Sequence, residues 1–73
     1  MSRVEVRSEI PGSVISIDAA VGDVLAEDDP VITVESMKMQ IPIPAPIAGR
    51  VTEIRMREGD AVATGQVVAV IET

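Results

Sequence analysis

Val4-Glu5-Val6-Arg7 alternates apolar and charged side chains, the period-2 pattern of a strand with one buried face. Similar short segments fill the rest of the chain. Residues 13–18 resume the alternation, but two faces compete there: Val14 with Ser16, and Ile15 with Ile17. A one-residue slip would exchange them, so the register of this strand stays open. Val24-Leu25 is a very short strand, and residues 31–35 have a nearly continuous apolar front. Further strands are predicted over 40–44, 50–56, 61–63 and 67–72. In 40–44, Ile41 and Ile43 share one face while Pro42 and Pro44 share the other. Proline cannot donate to a ladder, so this strand belongs at a sheet edge.

Turn residues separate these segments. Pro11-Gly12 breaks the chain after the first strand, and Ala45-Pro46-Ile47-Ala48-Gly49 reads as a bend. Gly22-Asp23, Gly59-Asp60 and Gly65 mark tight turns, where glycine reaches positive φ and aspartate bonds nearby backbone amides. The acidic run Glu27-Asp28-Asp29 is a further turn, with Pro30 opening the next strand.

The pattern repeats. A shift of 37 residues lays 10–36 on 47–73 without a gap, and nine of the 27 pairs are identical, including Gly12/Gly49, Gly22/Gly59 and Asp23/Asp60. Each half holds four strands with one apolar face, and such faces are buried by packing one half on the other. The predicted fold is all-β: a flattened barrel or sandwich of two four-stranded antiparallel sheets with approximate two-fold symmetry, one domain over residues 1–73.

Composition sharpens this picture. The hydrophobic share is 47%, carried mainly by Val and Ile, with one Leu and no aromatic residue. Such β-branched side chains suit a pleated surface. There is no cysteine and no histidine, which removes disulfides, thiolate metal sites and the usual neutral-pH general base. No oxygen ligands gather at calcium-loop spacing around the Gly-Asp steps, so these read as structural turns. The net charge of −6 argues against nucleic acid and anionic membrane as partners. No leader and no membrane-length apolar run is visible, so a cytoplasmic protein is expected, with a monomer as the simplest reading.

The chemistry concentrates at the junction of the two copies. Lys38 is the only lysine, the other five basic residues being arginine. It lies between the strands 31–35 and 40–44, at a gap the size of a hairpin turn. A solvated lysine amine is almost wholly protonated at neutral pH and not nucleophilic unaided. Its modification therefore requires a second protein that deprotonates it and supplies an activated acyl group. Met37 and Met39 flank it where turn chemistry favours Asn, Asp or Gly. They serve either as contacts for a partner or as a cover for the end of a small core.

Glu35-Ser36-Met37-Lys38-Met39 resembles the attachment motif of the biotinyl domain family, the biotin carboxyl carriers. The Ala45-Pro46-x-x-Gly49 bend, the Glu58-Gly59-Asp60 turn and the closing strand are similar too, so the resemblance spans essentially the whole chain. It implies that a biotin protein ligase transfers biotin from biotinyl-adenylate to Lys38, with Glu35, Ser36, Met37 and Met39 as recognition residues. It further implies that the tethered biotin moves carboxylate between biotin carboxylase and carboxyltransferase sites. The chain itself would then be a carrier and not a catalyst. The thumb that some members insert between their second and third strands is not expected, because the halves align without a gap. The chain is either a stand-alone carrier or part of a longer enzyme. Lipoyl domains share the fold and also modify a hairpin lysine, but usually place Asp before it and Ala after it. Attachment of lipoate, attachment of both cofactors, and an unmodified structural or adaptor barrel are the alternatives.

Overall fold

Eight strands form in the computed structural model, which describes residues 2–73. They are β1 (Arg3–Arg7), β2 (Gly12–Ile17), β3 (Val24–Leu25), β4 (Pro30–Ser36), β5 (Met39–Pro44), β6 (Gly49–Ile54), β7 (Ala61–Val62) and β8 (Val67–Glu72). They pair antiparallel into two sheets, in the orders β1-β8-β6-β3 and β5-β4-β2-β7. The β5 strand, with its two prolines, is an edge. Its Ile43 is buried while Pro42 and Pro44 are exposed, as the alternation requires.

The two halves interlock rather than each forming a sheet. In one sheet, β1 and β3 of the first half flank β8 and β6 of the second; in the other sheet the roles reverse. The cause lies in the link between β2 and β3. It carries the chain across to the other sheet, where Gly22 N–H donates to the Val51 carbonyl at 2.8 Å and Val51 N–H donates to the Asp23 carbonyl at 2.9 Å.

The 37-residue symmetry extends to the irregularities. Residue 15 is the unpaired extra residue where β2 meets β4, and residue 52 plays the same part where β6 meets β8. Val31 and Val68 are the extra residues against β5 and β1. A bulge re-aims the residues on either side of it. Those at Val31 and Val68 let Val31 and Ile32, and likewise Val68 and Ala69, be buried in succession. The bulge at Ile15 also resolves the two competing faces of β2: Val14 points into the core, and Ile15, Ser16 and Ile17 are all half-buried.

Gly12 and Gly49 depart from the sequence reading. Both were expected in turns; they open β2 and β6 instead. Neither takes a positive φ. Each lies where a neighbouring strand leaves no room for a side chain. A Cβ on Gly12 would collide with the Glu35 carbonyl oxygen and stand 2.7 Å from Val34 Cγ1. One on Gly49 would stand 2.6 Å from both the Glu72 carbonyl oxygen and Ile71 Cγ2. Gly22, Gly59 and Gly65 do occupy turns, at φ of 98°, 90° and 83°.

The core lies between the sheets and is aliphatic: Val6, Val14, Val31, Ile32, Val34, Val51, Val68 and Ile71 are at most 1% exposed. The molecule measures 36 × 18 × 18 Å. At one end, β4 turns into β5. At the other, Ser2 and Thr73 meet, with Thr73 N–H donating to the Ser2 carbonyl at 2.9 Å. The chain runs between these ends: Ser13 stands opposite Glu35 beside the hairpin, while Val24 stands opposite Arg50, itself paired with Glu72.

Candidate functional site: the β4–β5 hairpin

Ser36 and Met39 form the last pair of the β4–β5 ladder, below which Glu35 pairs with Gln40. Met37 and Lys38 alone make the turn, with φ of 51° and 65°. Positive φ at both central positions is the type I′ geometry, whose twist matches the strands it joins. Asn-Gly supplies it without strain. Non-glycine residues held there cost about 1–3 kcal/mol each and persist only where their surroundings impose the conformation. Here the ladder of β4 and β5, continued through β2, imposes it.

The turn projects into solvent. Met37 is 93% exposed and Met39 63%, which excludes a role as cover for the core. Lys38 is exposed and makes no ion pair among the described residues. Glu35 is exposed and Ser36 half-buried. Met37, Lys38, Met39 and Glu35 are thus brought together at one end of the molecule, with Ser36 at the base of the turn. The glycine that the sequence reading assigned to a turn, Gly12, belongs to this base, because its bare Cα lets β2 lie against Glu35. Its 37-residue match with Gly49, which lies in the same way against Glu72, was the signal that could have found it.

Four turns of the frame share one hydrogen-bonding device. Residue i+3 donates its N–H back to the carbonyl of residue i, while its own side chain accepts the N–H of residue i. Asp23 does this for Ala20, Asp29 for Ala26, Asp60 for Arg57 and Gln66 for Ala63, with side-chain bonds of 2.9 Å in each case. Asp23 and Asp60 are thereby accounted for as structural groups. No three carboxylates come together as a metal site among the described residues. Among the described residues the three ion pairs, Arg3–Glu53, Arg55–Glu53 and Arg7–Glu5, involve only solvent-exposed side chains of β1 and β6 and their flanks. No helix among the described residues is long and apolar enough to cross a membrane.

The site is thus a two-sheet β domain that presents its one lysine on an exposed type I′ hairpin. Residues 4–71 match the biotin/lipoyl family model described as "Biotin-requiring enzyme", and the chain belongs to that family. It is 39% identical over 67 residues to the biotinylated protein TB7.3 homolog of Mycobacterium leprae, covering 92% of this chain and 94% of that one. It is also 43% identical over 56 residues to the dihydrolipoyllysine-residue acetyltransferase component of the pyruvate dehydrogenase complex of Haemophilus influenzae. That match covers 77% of this chain and 10% of the relative. The structure superposes on the Kluyveromyces lactis urea carboxylase with a TM-score of 0.94 at 36% identity, covering 99% of this chain and 6% of the carboxylase. The chain therefore corresponds in length to the mycobacterial protein and to a small part of the other two.

Proposed function

We propose that the chain is a biotin carrier and that Lys38 is its attachment residue. The observation that carries this reading is the position of the only lysine at the centre of an exposed type I′ turn in a chain of this family. An amide-linked cofactor needs an amine that protrudes, is free of a partner carboxylate and has clearance for a second protein. Lys38 meets all three conditions.

The chain contributes position, and a ligase contributes the activation. Lys38 Nζ, once it gives up a proton to a base on the ligase, attacks the acyl carbon of an acyl-adenylate. The amide C–N bond forms and AMP leaves. Glu35, Met37 and Met39 are exposed around that amine, on a backbone paired through the β4–β5 ladder. When attached, biotin supplies a ring nitrogen that takes up and releases carboxylate. The tether keeps that ring at a high effective concentration in both a biotin carboxylase and a carboxyltransferase site, with the domain as a rigid post.

Attachment of lipoate is the second reading, favoured by the likeness to the acetyltransferase component. The thioethers on both sides of Lys38 favour biotin. The deciding experiment is intact mass of the chain expressed with biotin and lipoate available, followed by avidin capture. A gain of one biotinyl group with capture is expected. A lipoyl gain without capture would replace biotin by lipoate, and an unmodified chain would leave a structural barrel.

A further inference from the structure

The chain contains no cysteine, histidine, tryptophan or tyrosine. Its readily oxidised side chains are therefore the thioethers of its methionines. The three described ones fall into two classes. Met56 is 6% exposed, and the Gln66 side-chain amide donates to its sulfur at 3.5 Å. Met37 and Met39 are 93% and 63% exposed and stand on either side of Lys38. A two-electron oxidant diffusing to the folded domain thus meets the thioethers beside the acyl acceptor and is kept from the one in the core.

We infer that Met37 and Met39 form a methionine-oxidation site that controls acylation of Lys38. The inference rests on the carrier reading above. In the step proposed, a peroxide transfers one oxygen atom to the thioether sulfur. A sulfur lone pair attacks the peroxide oxygen, the O–O bond breaks, a sulfoxide S–O bond forms, and the remaining oxygen leaves as water or alcohol. Sulfur is oxidised by two electrons and the peroxide is reduced by two. The product is polar and chiral where the thioether was flexible and apolar. A ligase surface that packs on the two thioethers would have to bury the new oxygen without a hydrogen-bond donor, and that costs free energy. Both side chains lie outside the core and are largely exposed, so the change acts on recognition and leaves the fold in place. Methionine sulfoxide reductases reverse it, one enzyme for each sulfoxide epimer.

The test treats the unmodified full chain with hydrogen peroxide and follows two readouts. Peptide mass spectrometry gives the order of sulfoxidation. Transfer of biotin by a biotin protein ligase, before and after treatment, gives the consequence. Met37 and Met39 should gain oxygen well before Met56, and transfer should slow by about tenfold or more, as expected for a buried polar group without a partner. Joint treatment with both reductase types should restore it. In a Met37→Leu/Met39→Leu chain, transfer should proceed at one rate before and after peroxide, whatever that rate is. Oxidation of Met56 in step with the other two, or unchanged transfer to the doubly oxidised chain, would overturn the inference while leaving the carrier reading intact. An untreated chain that accepts no biotin would instead remove the carrier reading, and the control of acylation with it.

Discussion

Gly12 lies so close to Glu35 that even a methyl group on it would strike the Glu35 carbonyl oxygen. The obstacle is backbone, one residue below the base of the hairpin, so it cannot rotate aside. Gly49 stands in the same relation to Glu72 at the other end. Adding a methyl group to such a site forces the strands apart and costs about 1–3 kcal/mol. Gly12→Ala and Gly49→Ala should each lower the urea midpoint by a corresponding amount at unchanged slope. Because the sites are at opposite ends, the double variant should show the sum to within about 0.5 kcal/mol. A midpoint unmoved by either change would show that the strands separate freely there.

Gly59 tests the turns. Its φ is 90°, and nothing lies within 4 Å of where a Cβ would be. Crowding therefore contributes nothing, and the backbone conformation alone opposes a side chain. Gly59→Val should destabilise the domain by about 1 kcal/mol or more, read from thermal or urea unfolding. A melting temperature equal to the parent's would contradict the turn geometry.

Much of this architecture was legible in the sequence because each signal was local. Alternation marked the strands, Pro42 and Pro44 marked the edge, and the Gly-Asp steps marked turns that the structure places where expected. What the sequence did not disclose depends on distant neighbours. Gly12 reads as a chain break beside Pro11; only the proximity of β4 shows that it is needed inside a strand. The faces of β2 could not be assigned because the unpaired residue at Ile15 breaks the period on which the assignment rests. The interlocking of the halves follows from the symmetry that puts the hairpin opposite the chain ends, but which edge strands they exchange depends on distant pairing and nothing local in β1 or β3 declares it. The hairpin lysine was legible because composition isolates it. The positive φ of Met37 and Lys38 was not, because neither residue type announces it.

The thioethers should govern the choice of cofactor. Met37 and Met39 present apolar, nearly uncovered surface on both sides of the amine. Replacing them with the acidic and small residues usual in lipoyl domains, in a Met37→Asp/Met39→Ala chain, removes that surface while leaving the backbone pairing of Ser36 with residue 39 available. Biotin transfer should fall and lipoate transfer rise when purified ligases are compared on the two chains. Equal biotin transfer to both would show that selection lies elsewhere, in Glu35 or in the frame.

The central claim concerns one amino group. Lys38→Arg keeps a positive, flexible side chain on the same type I′ turn, so the fold should be retained, as judged by an unfolding midpoint near the parent's. Incubated with biotin protein ligase, ATP and biotin, the parent chain should gain one biotinyl group and bind avidin, and the Lys38→Arg chain should gain none. A biotinyl group found on the folded Lys38→Arg chain would contradict the account.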